Sequence, residues 1–213
     1  MNDFNVKFGI IGIDHRHVYT QAQFLIELGA ELVGWYTEGS PTTLGGFTKR
    51  FPKAKRFADP RSLLEDPDIR VILTSAVPND RAKISISAMK HGKDVMSDKP
   101  GCLSFGDLEE LRQTVQQTGR IWSVDFSERF EVPAVTLASQ LVSDGAIGDV
   151  IHTLGLGPHR LNPGSRPNWF FDPNQNGGIL ADIGSHQIDQ FLFFTKSESA
   201  EITLASIRNM GHQ

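Results

Sequence analysis

The stretch Val6-Lys7-Phe8-Gly9-Ile10-Ile11-Gly12-Ile13 decides the fold. It is a nearly continuous apolar run with β-branched residues, the pattern of a strand buried on both faces of a parallel sheet. The turn-like Asp14-His15-Arg16-His17 follows. Then comes Val18 to Leu28, where Phe24, Leu25 and Leu28 recur at helical spacing before a stop at Gly29. Glu31 to Tyr36 reads as a second strand. Strand, helix and strand within about 30 residues form a βαβ unit, and the right-handed crossover rule makes the two strands parallel neighbours.

Working outward, the alternation continues. Lys55-Arg56-Phe57 is a short third strand, Asp59-Pro60-Arg61-Ser62 has the chemistry of a helix start, and Ile69 to Thr74 is an apolar fourth strand. A helix from about Asp80 to Lys90 stops at Gly92, and Asp94-Val95-Met96 is a fifth strand. Ser104 caps a helix to about Gln117, and Ile121 to Val124 follows Gly119 as a sixth strand. This predicts a doubly wound α/β domain over residues 1–126. The character changes after it, and residues 127–213 read as the start of a second α/β domain. That part holds a helix with Val135, Leu137 and Leu141, a strand at Val150 to Leu156, a helix ending near Phe194 and a strand at Glu201 to Ile207. Between Gly157 and Gly178 lies a Pro-, Gly- and Asn-rich loop of about 20 residues, far beyond the usual connection of 4 to 6. Two strands alone do not make a stable sheet, so the second domain reads as incomplete.

The 213 residues are 39% hydrophobic and 22% charged, which excludes disorder. Lys plus Arg at 21 against Asp plus Glu at 25 gives a net charge of −4, so no basic field exists to hold a nucleic-acid backbone. No apolar run reaches the roughly 20 residues of a membrane span, and Met1-Asn2-Asp3-Phe4 lacks the order of a signal peptide; a cytoplasmic setting without membrane contact is expected. The single cysteine, Cys102, makes neither an internal disulfide nor a thiolate metal site.

A strand, tight turn and helix start aim backbone N–H groups and a helix dipole at a bound pyrophosphate. The dinucleotide fingerprint G-x-G-x-x-G falls on Gly12-Ile13-Asp14-His15-Arg16-His17, where only the first glycine is present. The choice between a nucleotide turn and an ordinary α/β turn stays open on this segment alone. Thr37, followed by Glu38, stands where an acidic residue would meet the ribose. Farther along, Asp182, His186 and Asp189 fall within roughly 60° of one another on a helix face, a stripe that is either a proton-transfer set or an ordinary surface pair. Lys99 follows the fifth strand at the sheet edge where open α/β folds bind ligands. His15 and His17 suggest a metal with His186, but spacing supplies no further ligand, so no metal is expected.

Three segments then resemble the Gfo/Idh/MocA oxidoreductases. They are Asp68 to Thr74 with Ala88 to Val95 and Asp98-Lys99-Pro100, Gly145 to Val150, and Gly177 to Asp189. The last matches that family's Gly-Gly-x-x-x-Asp-x-x-x-His-x-x-Asp helix at every defined position. The resemblance implies a Rossmann domain followed by an α/β domain with an open, mainly antiparallel sheet used for dimer or tetramer contacts. It implies hydride transfer between NAD or NADP and a hydroxyl or keto group of a sugar, polyol or similar ring. Lys99, Asp182 and His186 become the catalytic group, with His186 accepting the proton. Gly12, Ile13, Asp14, His15 and Thr37, with Ser75, Ala76, Asp98 and Lys99 along the sheet edge, become the dinucleotide contacts. Arg160 and Trp169 of the long loop, with Asp189, become substrate contacts. Departures are also present: Asp14, His17 and Thr37 replace two glycines and a frequent acidic residue, Arg81 a frequent His, Asp98 the Glu of Glu-Lys-Pro, and Asp125 a Gly. Two rivals remain, a ligand-binding relative that has lost turnover and a sugar-processing lyase or hydrolase that keeps its nicotinamide bound.

Overall fold

A computed structural model describes residues 6–208 of the chain. Six strands, β1 (Lys7–Ile11), β2 (Glu31–Tyr36), β3 (Lys55–Arg56), β4 (Ile69–Thr74), β5 (Asp94–Asp98) and β6 (Trp122–Asp125), form one sheet in the order β3-β2-β1-β4-β5-β6. Every pairing is parallel. This is the doubly wound order, with the direction of winding reversing between β1 and β4.

The connecting helices cover both faces. On one side α3 (Arg61–Leu64), α4 (Pro78–Lys90) and α5 (Phe105–Thr118) pack Leu63, Ile86, Met89 and Leu111 against Ile72 and Val95. On the other, α1 (Val18–Glu27) and α2 (Leu44–Arg50) pack Val18, Ala22 and Phe47 against Phe8, Ile10 and Trp35. Each such side chain taken from water contributes roughly 1.5–3 kcal/mol, which is why the central strands are apolar on both faces. The Ser104 cap forms as expected, its Oγ accepting from Asp107 N at 3.0 Å, and Gly119 closes α5 at φ 64°. The helix α2 has no clear sequence signal. Two glycines in Leu44-Gly45-Gly46-Phe47 weaken it by about 1 kcal/mol each, and burial of Phe47 overrides that penalty.

Past β6 the chain forms α6 (Ser127–Phe130), α7 (Pro133–Ser143), α8 (Pro173–Asn176) and α9 (Ser185–Thr195), with a π-helical turn at Leu180–Gly184 leading into α9. The long loop is broken by short 3-10 turns at Pro163–Ser165 and Asn168–Phe171. The two strands expected at 150–156 and 201–207 are not formed, and the described residues contain no antiparallel sheet. The physical reason is the lack of partners: a β ladder needs neighbouring strands, and Ile151, Leu154, Ile202 and Leu204 stay exposed. No helix among the described residues is long and apolar enough to cross a membrane.

Candidate active site

The carboxyl ends of β1, β4 and β5 meet at one edge of the sheet. Gly12 N donates to Tyr36 O at 2.8 Å, Ser75 N to Gly12 O at 3.1 Å, and His15 N to Ser75 O at 2.8 Å, which stitches the first turn to the start of the β4–α4 connection. Gly12 sits at φ 82°, and a Cβ there would lie 2.4 Å from the Ala76 Cβ. Only glycine fits. The side chain of His17 does not fill the gap between α1 and the sheet. It turns toward β5, and Gln21 packs there instead, donating to Asp125 at 2.8 Å and accepting from Ser75 Oγ at 2.6 Å.

Asp98 is completely buried at the end of β5. His15 Nδ1 lies 2.7 Å from one of its oxygens, His17 Nδ1 2.9 Å from the other, and Arg81 Nη2 3.0 Å from the first. Burial alone would raise this carboxyl, but the charge of Arg81 and the two imidazoles outweigh it and hold it well below the ordinary carboxylate range. Arg81, also buried, donates to the carbonyls of Ala76, Asp98, Lys99 and Pro100 and so fixes the segment that presents Lys99. Polar atoms of His15, His17 and Asp98 lie within 4.8 Å of one another, a grouping that spacing did not disclose. With a guanidinium on the same carboxylate, the cluster is a hydrogen-bonded one.

Lys99 Nζ donates to Asp182 Oδ1 at 2.7 Å and to Asp182 O at 2.8 Å, joining the sheet edge to the π turn. Burial pushes the Asp182 carboxyl up, and the adjacent ammonium more than offsets it, leaving the group below its usual value. His186, 2% exposed, begins the next turn of helix. The expected Asp182–His186 pair is not formed. The carboxylate is held by the charged Lys99, which outcompetes a neutral imidazole, and His186 Nδ1 has no hydrogen-bond partner among the described residues. Burial, reinforced by the Lys99 charge, lowers His186 to about 4. Burial also lowers His15 to about 4.

Lys99, Asp182 and His186 nonetheless line one cavity of ≈ 160 Å³, together with His15, His17 and Arg166. An adjoining cavity of ≈ 310 Å³ covers the first turn and shares His15, Arg16, His159 and Arg166 with it. The larger one also holds Asp14, Thr43, Arg160 and Trp169. Two sequence expectations shift here. Arg160 and Trp169 lie over the first turn and not in the cavity of Lys99 and His186, although Arg160 also lines a further cavity of ≈ 430 Å³ with Asp182. Asp189 turns away from the stripe, and both its oxygens are taken by Arg129 of α6 at 2.6 and 2.9 Å.

A dinucleotide fits the larger cavity over the first turn on two observations. Arg16, Arg160 and Arg166 supply positive charge there and pair with no carboxylate among the described residues, against one acid, Asp14, which burial raises to about 6. The N–H groups of Arg16 and His17 have no protein acceptor among the described residues. At the end of β2 the Thr37 hydroxyl is buried and without a partner among the described residues, but it does not line this cavity.

Comparison with known proteins agrees with this geometry. The family described as "Oxidoreductase family, NAD-binding Rossmann fold" matches residues 6–126, and the "GFO/IDH/MocA C-terminal domain" matches residues 135–213. The chain belongs to the GFO/IDH/MocA oxidoreductase family. It is 31% identical over 167 residues to levoglucosan dehydrogenase of Pseudarthrobacter phenanthrenivorans, covering 76% of this chain and 42% of that protein. It is 30% identical to scyllo-inositol 2-dehydrogenase (NAD(+)) of Bacillus subtilis over 70% of this chain and 41% of the relative. A crystal structure of an oxidoreductase-family protein from Erwinia carotovora atroseptica superposes with a TM-score of 0.86 at 41% identity, over 90% of this chain and 57% of the other. The chain thus spans about half the length of the curated relatives it matches.

Proposed function

We propose that this chain carries the nucleotide site and catalytic residues of an NAD- or NADP-dependent dehydrogenase acting on a hydroxyl or keto group of a sugar, polyol or similar cyclic substrate. The observation that carries the reading is the junction of Lys99 with Asp182, which puts the ammonium, the carboxylate and His186 on one small cavity beside the Gly12 turn. Relatives named as levoglucosan and inositol dehydrogenases, using NAD(+) in one case and NADP(+) in another, support the substrate class and leave either nucleotide open. The bound nicotinamide supplies the hydride acceptor or donor.

The chain's own residues do the rest. Arg16, Arg160 and Arg166 neutralise the phosphates, Gly12 lets the backbone approach them, and Asp14 sits beside them as a weak acid. Asp182 fixes the Lys99 ammonium so that it points at the reacting oxygen, where its charge stabilises the developing alkoxide. His186, on the same cavity, accepts the proton from that oxygen. The 157–178 segment closes over the cavity and limits water, and assembly as a homo-dimer or homo-tetramer in a cytoplasmic setting belongs to the same proposal.

Calorimetric titration with NADH and NADPH tests it. Saturable binding of one nucleotide below about 1 mM, roughly 4 kcal/mol, is expected. No binding of either would favour a ligand-binding relative without turnover. Asp14→Gly should tighten binding, because it removes a carboxylate from the phosphate wall.

A further inference from the structure

We propose that the substrate ring carries a carboxylate, held by Arg160 and Arg166 in a cavity that opens beside the catalytic group. The ligand class is a sugar acid or a carboxylated cyclic polyol. The inference rests on the dehydrogenase reading above and narrows the substrate within it.

The cavity is the one of ≈ 430 Å³ between the long loop and the π turn. It shares His159, Arg166, Asp182 and Ile183 with the cavity of Lys99 and His186, so a ring seated in it presents one edge to the reacting groups. Its walls differ in chemistry. Leu161, Phe170, Phe171 and Ile179 offer apolar surface to the face of a ring, and the guanidiniums of Arg160 and Arg166 border the same space. Arg166 is held in place. Its Nε donates to Leu161 O at 3.1 Å and its Cζ lies 4.4 Å from the Phe170 ring centroid, while both terminal nitrogens have no acceptor among the described residues. The Arg160 guanidinium has none there either.

The arginine side of the cavity is rich in donors and poor in acceptors. Asn176 spends Nδ2 on Phe170 O and Oδ1 on Gly178 N, His159 faces Gly157 O and Glu128, and Asp182 gives Oδ1 to Lys99. A neutral polyol brings hydroxyls that donate as well as accept, and against two guanidiniums their hydrogens find no partner. A carboxylate only accepts, in the planar geometry that a guanidinium fork matches. Charge leads to the same ligand. Arg16, Arg160 and Arg166 border the nucleotide cavity, and the two charges of a pyrophosphate balance two of them. Asp14, already raised to about 6 by burial, is driven further toward its neutral form by a phosphate beside it. One guanidinium is left over, and Arg160 and Arg166 are the two that also face the ring cavity. A single negative charge completes the balance, which favours a carboxylate over a phosphate dianion.

Matched pairs of rings test it: glucuronate with glucose, galacturonate with galactose, and quinate with its uncharged methyl ester, with glucose 6-phosphate as the dianion. Binding of each ring to the NADH or NADPH complex is measured by calorimetry, which needs no turnover, and kcat/KM is measured with the oxidised nucleotide. At least one acid should bind its complex about 10-fold or more tightly than its neutral partner and show the same preference in kcat/KM. In Arg166→Gln and Arg160→Gln that acid-to-neutral ratio should fall by about 10- to 10²-fold. The neutral member of each pair absorbs any change in nucleotide binding or folding, so the ratio reports the carboxylate alone. Neutral rings bound as well as the acids, glucose 6-phosphate preferred to glucuronate, a ratio unmoved by both arginine variants, or no acid bound by the NADH or NADPH complex would each overturn the proposal while leaving nucleotide binding intact. Failure to bind NADH and NADPH would overturn the dehydrogenase reading itself.

Discussion

Replacing Gly12 with alanine should be among the most damaging single-methyl changes in the molecule. The residue sits at φ 82°, where an L side chain costs roughly 1–2 kcal/mol. Its new Cβ would meet Ala76 Cβ at 2.4 Å and Ala76 Cα at 2.8 Å, and a methyl carbon fixed directly to the backbone cannot swing aside. Overpacking of that kind costs about 1–3 kcal/mol. The two contributions together give about 3 kcal/mol, which for a chain of this length lowers the melting temperature by roughly 6–12 °C. Relief by displacement would strain the bonds from Ser75 N to Gly12 O and from Gly12 N to Tyr36 O, and these hold the nucleotide turn to β2 and to the end of β4. Circular dichroism melts of Gly12→Ala, Ala76→Gly and the double variant measure the effect. The double variant should lose less than the sum of the singles by at least about 1 kcal/mol, because removing the Ala76 methyl relieves the contact but not the positive φ. A Gly12→Ala melt within about 2 °C of the parent, or strict additivity in the cycle, would refute the reasoning.

Arg81→Met should cost about 3–5 kcal/mol at neutral pH by leaving Asp98 buried without its guanidinium. Asp98 is depressed in the folded state, so its contribution is present above about pH 4 and is lost as pH falls below it; urea melts should show the Arg81→Met deficit shrinking in that range. Burial, aided by the charge of Asp125, raises Glu131 from 4.5 to about 7, so the folded state holds a proton that the unfolded chain has released. Glu131→Gln should therefore gain stability relative to the parent as pH rises from 4.5 to 7, by about 1–2 kcal/mol after discounting for its partial exposure; a difference that is flat with pH would contradict the assignment. Lys99→Met should lower kcat by about 10²-fold or more with nucleotide affinity nearly unchanged, a split read from steady-state kinetics and calorimetry.

What the sequence discloses and what it hides follow from the range of the interactions involved. The strands β1, β2 and β4 are apolar runs between turn residues, and their parallel order follows from crossover handedness, so the sheet is legible from residues close in sequence. The strands expected at 150–156 and 201–207 have the same local pattern and do not form, because pairing is a property of neighbours that the pattern does not contain. Helix α2 is the converse case, a weak local signal rescued by burial of Phe47. In the site, the Asp182–His186 spacing was readable, but a π turn and a lysine from 83 residues away decide where the carboxylate goes. Helical periodicity carries no information about either.

The departures from the family pattern show the same limit from the other side. Read singly along the chain, His17 is bulk in place of a glycine, Asp98 a shortened Glu and Arg81 a substituted His, and each looks like damage to a nucleotide fold. In space they touch. Shortening the acid by one methylene draws its carboxylate back toward β5, and the two imidazoles of the first turn reach across to it at 2.7 and 2.9 Å. A buried carboxylate needs a compensating positive charge, and the guanidinium at position 81 supplies one at 3.0 Å. Each substitution alone would be costly, and the set is a satisfied network. Reversal of any one member should therefore destabilise more than reversal of all. Asp98→Glu alone would force an extra methylene into a fully packed site, whereas the same change combined with His17→Gly should recover most of the loss in a thermal-melt cycle. If the two changes proved additive, the residues would be independent accidents rather than one device.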